Sequence, residues 1–158
     1  MEAKIDYEND SETIYAVNEI RVENPFHTLI CDVFINDEYL ETFRGNGLLA
    51  CSALGSSAYN KSLGGALLPH AFDLLELTEI VSIQNNAFNS VGSPIILDNG
   101  THVTLKGAFR KAVVGFDYST SENESPTCLD IFLSDKKVSI IRPRSYSYIN
   151  SLRKSFIK

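Results

Sequence analysis

The sequence predicts a mainly β fold, an antiparallel β-sandwich carrying one short internal helix and one C-terminal helix. Three observations carry this expectation. Apolar residues alternate at strand period along much of the chain, turn dipeptides separate the alternating runs, and the runs are not interleaved with the helical patterns of about 10–15 residues that mark a doubly wound nucleotide fold. A chain of 158 residues, 44% hydrophobic and 22% charged, can bury one ordinary core. It carries no linker that would divide it, so residues 1–158 are expected to form a single domain.

Taken in order, the first extended run is Thr13–Val22. From Thr28 to Asn36, Leu29, Cys31, Val33 and Ile35 fall on one side and Ile30, Asp32 and Phe34 on the other, the pattern of a mostly buried strand. Asn36-Asp37-Glu38 then supplies turn chemistry before Tyr39–Phe43 resumes the pattern, which predicts a β-hairpin. A short helix is seeded over Ser56–Leu63. A second hairpin is expected where Ser93–Leu97 meets Thr101–Leu105 across Asp98-Asn99-Gly100, because Asn and Gly tolerate the positive φ of tight turns. Ala112–Tyr118 and Cys128–Leu133 read as strands, and the turn Ser134-Asp135-Lys136 joins the second of these to a last run, Lys137–Ile141. Ser119–Thr127 is polar, contains Pro126 and lacks apolar anchors, so it reads as an exposed loop. Near the end Tyr148, Leu152 and Phe156 recur every four residues, the spacing of a docking or capping helix.

Composition excludes several functions. A net charge of -6 and an isoelectric point near 5.0 disfavour a nucleic-acid partner, whose affinity needs a basic stripe. The same charge does not exclude a single nucleotide, since backbone amides and a few side chains can hold one. Cys31, Cys51 and Cys128 are odd in number and widely spaced, which suggests neither a disulfide framework nor a zinc site and points to a reducing cytoplasm. His27, His70 and His102 are equally scattered and read as surface or loop residues rather than metal ligands. No run approaches the roughly 18 apolar residues of a membrane span, and the amino terminus is acidic where a secretory signal is basic. The chain is expected to be soluble and cytoplasmic, with no membrane partner.

The most unusual stretch runs from Arg44 to Gly65 and holds five of the chain's nine glycines. Gly55-Ser56-Ser57 at a helix start would expose backbone N–H groups and two hydroxyls, a cradle for an anion or a polar base edge, with Tyr59 as an aromatic platform beside it. The alternative is that Ser56 is only an N-cap and Tyr59 a core residue. The residues alone leave both readings open. The stretch is neither a P-loop, nor a G-x-G-x-x-G fingerprint, nor a G-x-S-x-G nucleophile elbow.

The string GNGLLACSALGSSAYNKSLGGALL, residues 45–68, closely resembles the signature of the NAD kinase family, in which G-D-G runs into S-T-P-x-G-S-T-A-Y and a Gly-Gly pair. The likeness continues through Leu77–Ile80, Ile83–Asn86 and Gly92–Pro94. Phe34–Asp37 fits the strand before it, and Ala16–Glu19 resembles the family's Asn-Glu motif. It is strong over residues 15–97 and weaker thereafter.

The resemblance implies the carboxy-terminal, NAD-binding β-sandwich domain of an ATP- or polyphosphate-dependent NAD kinase, an enzyme that phosphorylates the adenosine ribose 2′-hydroxyl of NAD. In that family a preceding α/β domain carries a G-G-D-G-T motif whose Asp activates the hydroxyl. No G-G-D-G occurs here, so no catalytic residue is assigned, the isolated chain is expected to be inactive, and Mg²⁺ with ATP or polyphosphate is expected only with the missing domain. By resemblance, Asn18 and Glu19 contact the adenosine moiety, Ser57 hydrogen-bonds the adenine, and Ala58 and Tyr59 line its pocket. Asn46 stands where the family has an Asp that reaches the nicotinamide amide; Asn keeps hydrogen bonding and loses charge. Ala53 replaces the usual Pro, and Leu54 stands where a polar residue is common. Asp117 occupies roughly the place of a late acidic residue. The family also implies a homo-oligomer, a dimer or tetramer. A non-catalytic NAD(H)-binding or oligomerisation module is the alternative.

Overall fold

A computed structural model describes residues 1–123 and 125–157, and in it the alternating runs build two antiparallel sheets of six strands each. The first contains β1 (Glu2–Asp6), β2 (Ser11–Tyr15), β4 (Leu29–Ile35), β5 (Glu38–Gly45), β9 (Val103–Lys106) and β12 (Cys128–Phe132), in the order β2-β1-β12-β9-β4-β5. The second contains β3 (Glu19–Glu23), β6 (Gly47–Ser52), β7 (Leu75–Ile80), β8 (Ile95–Leu97), β10 (Val113–Phe116) and β11 (Ser119–Thr120), in the order β11-β10-β3-β6-β7-β8. Period-2 alternation turns Ile5, Val33, Phe43, Leu105 and Leu129 of the first sheet and Ile20, Val22, Leu48, Leu75 and Val114 of the second into one buried core. The expected sandwich is therefore formed.

The first hairpin stands as expected. Leu29 to Ile35 pairs with Gly45 to Glu38, and Asn36 and Asp37 both take positive φ, 49° and 66°, as a two-residue primed turn requires. The terminal helix also forms. It is α2 (Tyr148–Phe156), whose N-cap Ser147 accepts a hydrogen bond from the Asn150 amide. Among the described residues no helix is long and apolar enough to cross a membrane.

Five expectations are corrected. Thr13–Val22 is not one strand: it ends in the first sheet as β2 and resumes in the second as β3, with Ala16–Asn18 crossing between them. Ser93–Leu97 and Thr101–Leu105 do not form a hairpin. The turn closes, with Thr101 donating to Asp98 at 2.6 Å, but β8 pairs with β7 while β9 pairs with β4 and β12, so the turn is a corner between sheets. Val103 and Leu105 are wholly buried there, which local turn chemistry cannot outweigh. Lys137–Ile141 is not a strand, because both edges of β12 are already taken by β1 and β9; Val138 and Ile141 are exposed. The segment 119–127 is mostly exposed, yet it supplies the short β11 and buries Pro126; Glu124 lies outside the described residues. The internal helix breaks at Ala58 into a 3-10 turn, Gly55–Ser57, and α1 (Tyr59–Ser62).

Candidate functional site

On β3, β6 and β7 the side chains that do not enter the core face outward from the second sheet: Glu19, Arg21 and Glu23, then Leu49 and Cys51, then Glu76, Thr78 and Ile80. The segment from Gly55 to Leu63 lies over this face, with Tyr59 and Leu63 packed on Leu49, Cys51 and Ile80. Ser56 locks its start, donating to the Ala53 carbonyl at 2.8 Å and accepting from the Leu68 amide at 2.9 Å. Ser56 is therefore a buried structural residue, while Ser57 makes one long bond of 3.4 Å to the Leu54 carbonyl and stays half-exposed.

The two motifs meet at Gly55. A side chain at this position would place its Cβ 2.0 Å from the Asn18 carbonyl oxygen, so the contact admits only glycine. The Asn18 carbonyl also accepts from the Ser52 amide at 2.9 Å. On its other side the backbone is gripped by Asp117. This residue sits in a turn at φ 48° and accepts from three successive amides, Val17 at 2.8 Å, Asn18 at 2.7 Å and Glu19 at 3.3 Å. The resemblance gives Asp117 no role; in the structure it shapes the Asn18–Glu19 turn.

Glu19 is 6% exposed. Its Oε1 lies 3.7 Å from Arg21 Nη1, and its Oε2 is buried with no hydrogen-bond partner among the described residues. Burial pushes the carboxyl above its ordinary range, Arg21 opposes the shift, and Asp117 and Glu23 add to it. Tyr59 donates its hydroxyl to Glu23 at 3.1 Å, and the Arg21 guanidinium stands 5.8 Å from the tyrosine ring centre. Arg21 thus links Glu19, Glu23 and Tyr59.

The structure brings Asn18, Glu19, Ser57, Ala58 and Tyr59 to one face. Asn46 is not among them. Its backbone bridges β5 and β6, accepting from the Asn24 amide at 2.7 Å and donating to the Ile80 carbonyl at 2.9 Å, beside the far end of β3. Six residues of extended chain separate Asn24 from Asn18, roughly 20 Å. A cleft of about 330 Å³ opens next to the Asn18 turn, lined by Val17, Ser52, Leu54, Asp117, Lys137 and Arg142 among others. None of the six expected residues lines it, so the expected site lies beside this cleft and is not the cleft itself.

Sequence reasoning missed Asn60 and Glu76. Both are fully buried, Asn60 within the Gly55–Leu63 segment and Glu76 on β7, with Asn60 Nδ2 donating to Glu76 Oε2 at 2.9 Å. The available signal was an acid inside the otherwise apolar run Leu74–Leu77, opposite a helix carrying an amide. Among the described residues no group of three or more His, Cys, Asp or Glu comes together to hold a metal ion. His27 is exposed in a loop. His102 contacts Asp130 at 3.0 Å and stacks on Phe132, and His70 contacts Arg142 at 3.0 Å. Cys31, Cys51 and Cys128 are free thiols, and burial pushes the Cys31 thiol up to about 12.

No family model matches the chain. Comparison with individual proteins gives clear relatives. The chain is 35% identical over 160 residues to NAD kinase 1 of Bacillus cereus, a match covering 99% of this chain and 60% of that protein. It is 35% identical to the NAD kinase of Streptococcus thermophilus, covering 92% of this chain and 53% of that protein. The chain therefore spans about 60% or less of the length of these relatives. Two solved structures share its fold. One is yeast NADH kinase complexed with NADH (TM-score 0.70, 22% identity, 82% of this chain and 38% of that one). The other is an NAD kinase from Archaeoglobus fulgidus in complex with ATP (TM-score 0.64, 20% identity, 76% and 46%).

Proposed function

We infer that this chain, a member of the NAD kinase family by its sequence relationship along almost its whole length, is the dinucleotide-binding part of such an enzyme. It holds the acceptor NAD while a phosphoryl donor is supplied elsewhere, and the product of the whole enzyme is NADP. The observation that carries this reading is the meeting of the two motifs: Gly55 seated on Asn18, with the buried Glu19 offering an oxygen that the described residues leave unpaired. A buried acceptor without a partner is unusual, and at a binding face a ribose hydroxyl is a fitting donor.

In this reading Glu19 accepts from the adenosine ribose and Asn18 borders it. Ser57, whose own hydrogen bond is weak, turns its hydroxyl to the adenine, and Ala58 and Tyr59 form the adjoining wall. Asn46 meets the nicotinamide half of an extended ligand, within one subunit or across a homo-oligomer contact. The chain's contribution to catalysis is orientation, which is most of phosphoryl transfer. Mg²⁺ with ATP or polyphosphate arrives with the remaining part of the enzyme, which works in the cytoplasm as a dimer or tetramer.

Titrating NAD into isotopically labelled chain tests the placement. The amide resonances of Asn18, Glu19 and Ser57–Tyr59 should move together. Movement confined to the cleft beside Lys137 and Arg142 would place the ligand elsewhere and overturn the assignment.

A further inference from the structure

One polar cluster is sealed entirely inside the protein. Asn60 of α1 and Glu76 of β7 have no exposed surface, and Thr78 has 3%. Burial pushes the Glu76 carboxyl above its ordinary range while the Ala66 amide and Asn60 draw it back; as a carboxylate it only accepts, which sets the direction of the bonds around it. Its Oε1 accepts from the Ala66 amide at 2.6 Å and its Oε2 from Asn60 Nδ2 at 2.9 Å. Asn60 Oδ1 is then free to accept from the Thr78 hydroxyl at 2.7 Å. The backbone carbonyl of Asn60 accepts from the Gly65 amide at 3.0 Å. A single residue of a four-residue helix is thus tied to β7 and to the loop that follows the helix.

As a source of stability alone, this arrangement is poor. Among the described residues no lysine or arginine forms an ion pair with Glu76, and burying an unpaired carboxylate costs more than apolar packing would. What the hydrogen bonds add is direction. Tyr59 and Leu63 rest on Leu49, Cys51 and Ile80, contacts that tolerate sliding, whereas the Asn60–Glu76 bonds fix one orientation. A helix as short as α1 cannot hold itself, and Ser57, Ala58 and Tyr59 immediately precede Asn60.

We propose that Asn60 and Glu76 are positioning residues for the dinucleotide site, bracing the Ser57–Tyr59 segment at the height above the second sheet where it meets the ligand. This rests on the reading of that site as an NAD site. The test is a reciprocal swap. In Asn60→Asp two carboxylates face each other and the brace opens. Adding Glu76→Gln rebuilds it, because the introduced amide on β7 can donate to the introduced carboxylate on α1 while its oxygen still accepts from the Ala66 amide.

Deuterium exchange over residues 55–68 and calorimetric titration with NAD are measured on the whole chain. The single variant should exchange this segment about tenfold faster than wild type, with the strands of the first sheet unchanged, and bind NAD about tenfold more weakly. The double variant should return both to within about threefold. The proposal fails if the swap restores neither quantity, if all strands loosen together, or if the segment loosens while NAD affinity holds. If wild type binds no NAD, the ligand reading fails and the site assignment goes with it. The exchange measurement still decides whether the pair braces the segment.

Discussion

Glu19 shows the tension between folding and binding at a single residue. Its folded pKa is raised, chiefly by burial, so its contribution to stability is complete below the unfolded value of 4.5 and is lost as pH rises through the folded pKa. Above that point the ionised carboxylate is a burden that Arg21 only partly relieves. Glu19→Gln is therefore expected to raise the melting temperature at pH 7–8 and to flatten its pH dependence, while weakening NAD binding. A melting temperature that falls at neutral pH would show that the carboxylate stabilises the fold. Asp117 has the opposite character. Asp117→Ala strips the acceptor from three amides and is expected to cost about 1–3 kcal/mol in chemical denaturation, with NAD binding lost as well. Asn18, Glu19 and the Ser57–Tyr59 run were legible in the sequence only as a motif at a familiar spacing. The grip of Asp117 was not legible, because nearly a hundred residues separate it from Asn18 and nothing local announces a long-range side-chain cap.

At the scale of elements, what could be read followed from local periodicity and what could not followed from competition between partners. The β4–β5 hairpin and α2 are decided by their own residues, through turn chemistry and spacing. The corner at Asp98–Gly100 has the same turn chemistry as a hairpin, yet β8 and β9 find better neighbours in separate sheets. Lys137–Ile141 has strand composition but no free edge to join. β6 and β7 escaped notice because β6 is buried on both sides, so Leu48–Cys51 shows no alternation. The contact between elements that matters most is Gly55 against Asn18. Gly55→Ala forces a Cβ to 2.0 Å from a carbonyl oxygen, and about 1–3 kcal/mol of stability should be lost. Because the clash falls between the two motifs, NAD affinity should drop even under conditions where the variant remains folded. A fully folded variant with unchanged affinity would show that the motifs do not cooperate.

For the whole molecule, sandwich architecture was predictable from composition and alternation, whereas the allocation of strands to sheets was not, since that depends on crossings such as Ala16–Asn18 that leave little trace in the pattern. The candidate site is built of buried and half-buried residues along the Asn18–Glu19 turn and the Ser57–Tyr59 segment, and the chain covers 60% of the Bacillus cereus relative's length. The proposed function divides the labour, with one part of the enzyme presenting NAD and another the phosphoryl donor. The chain by itself is expected to form no NADP from NAD and ATP or polyphosphate in a coupled assay. Measurable turnover would place a general base within these 158 residues.

The most direct test of the central claim is calorimetric titration of NAD, NADP and ATP, each separately, into the folded chain and into a Glu19→Ala, Tyr59→Ala double variant. Binding of NAD or NADP without ATP, abolished in the variant, is the expected result and would establish an acceptor site on this face. Dinucleotide binding that survives both substitutions, or no dinucleotide binding by a folded wild-type chain, would contradict it.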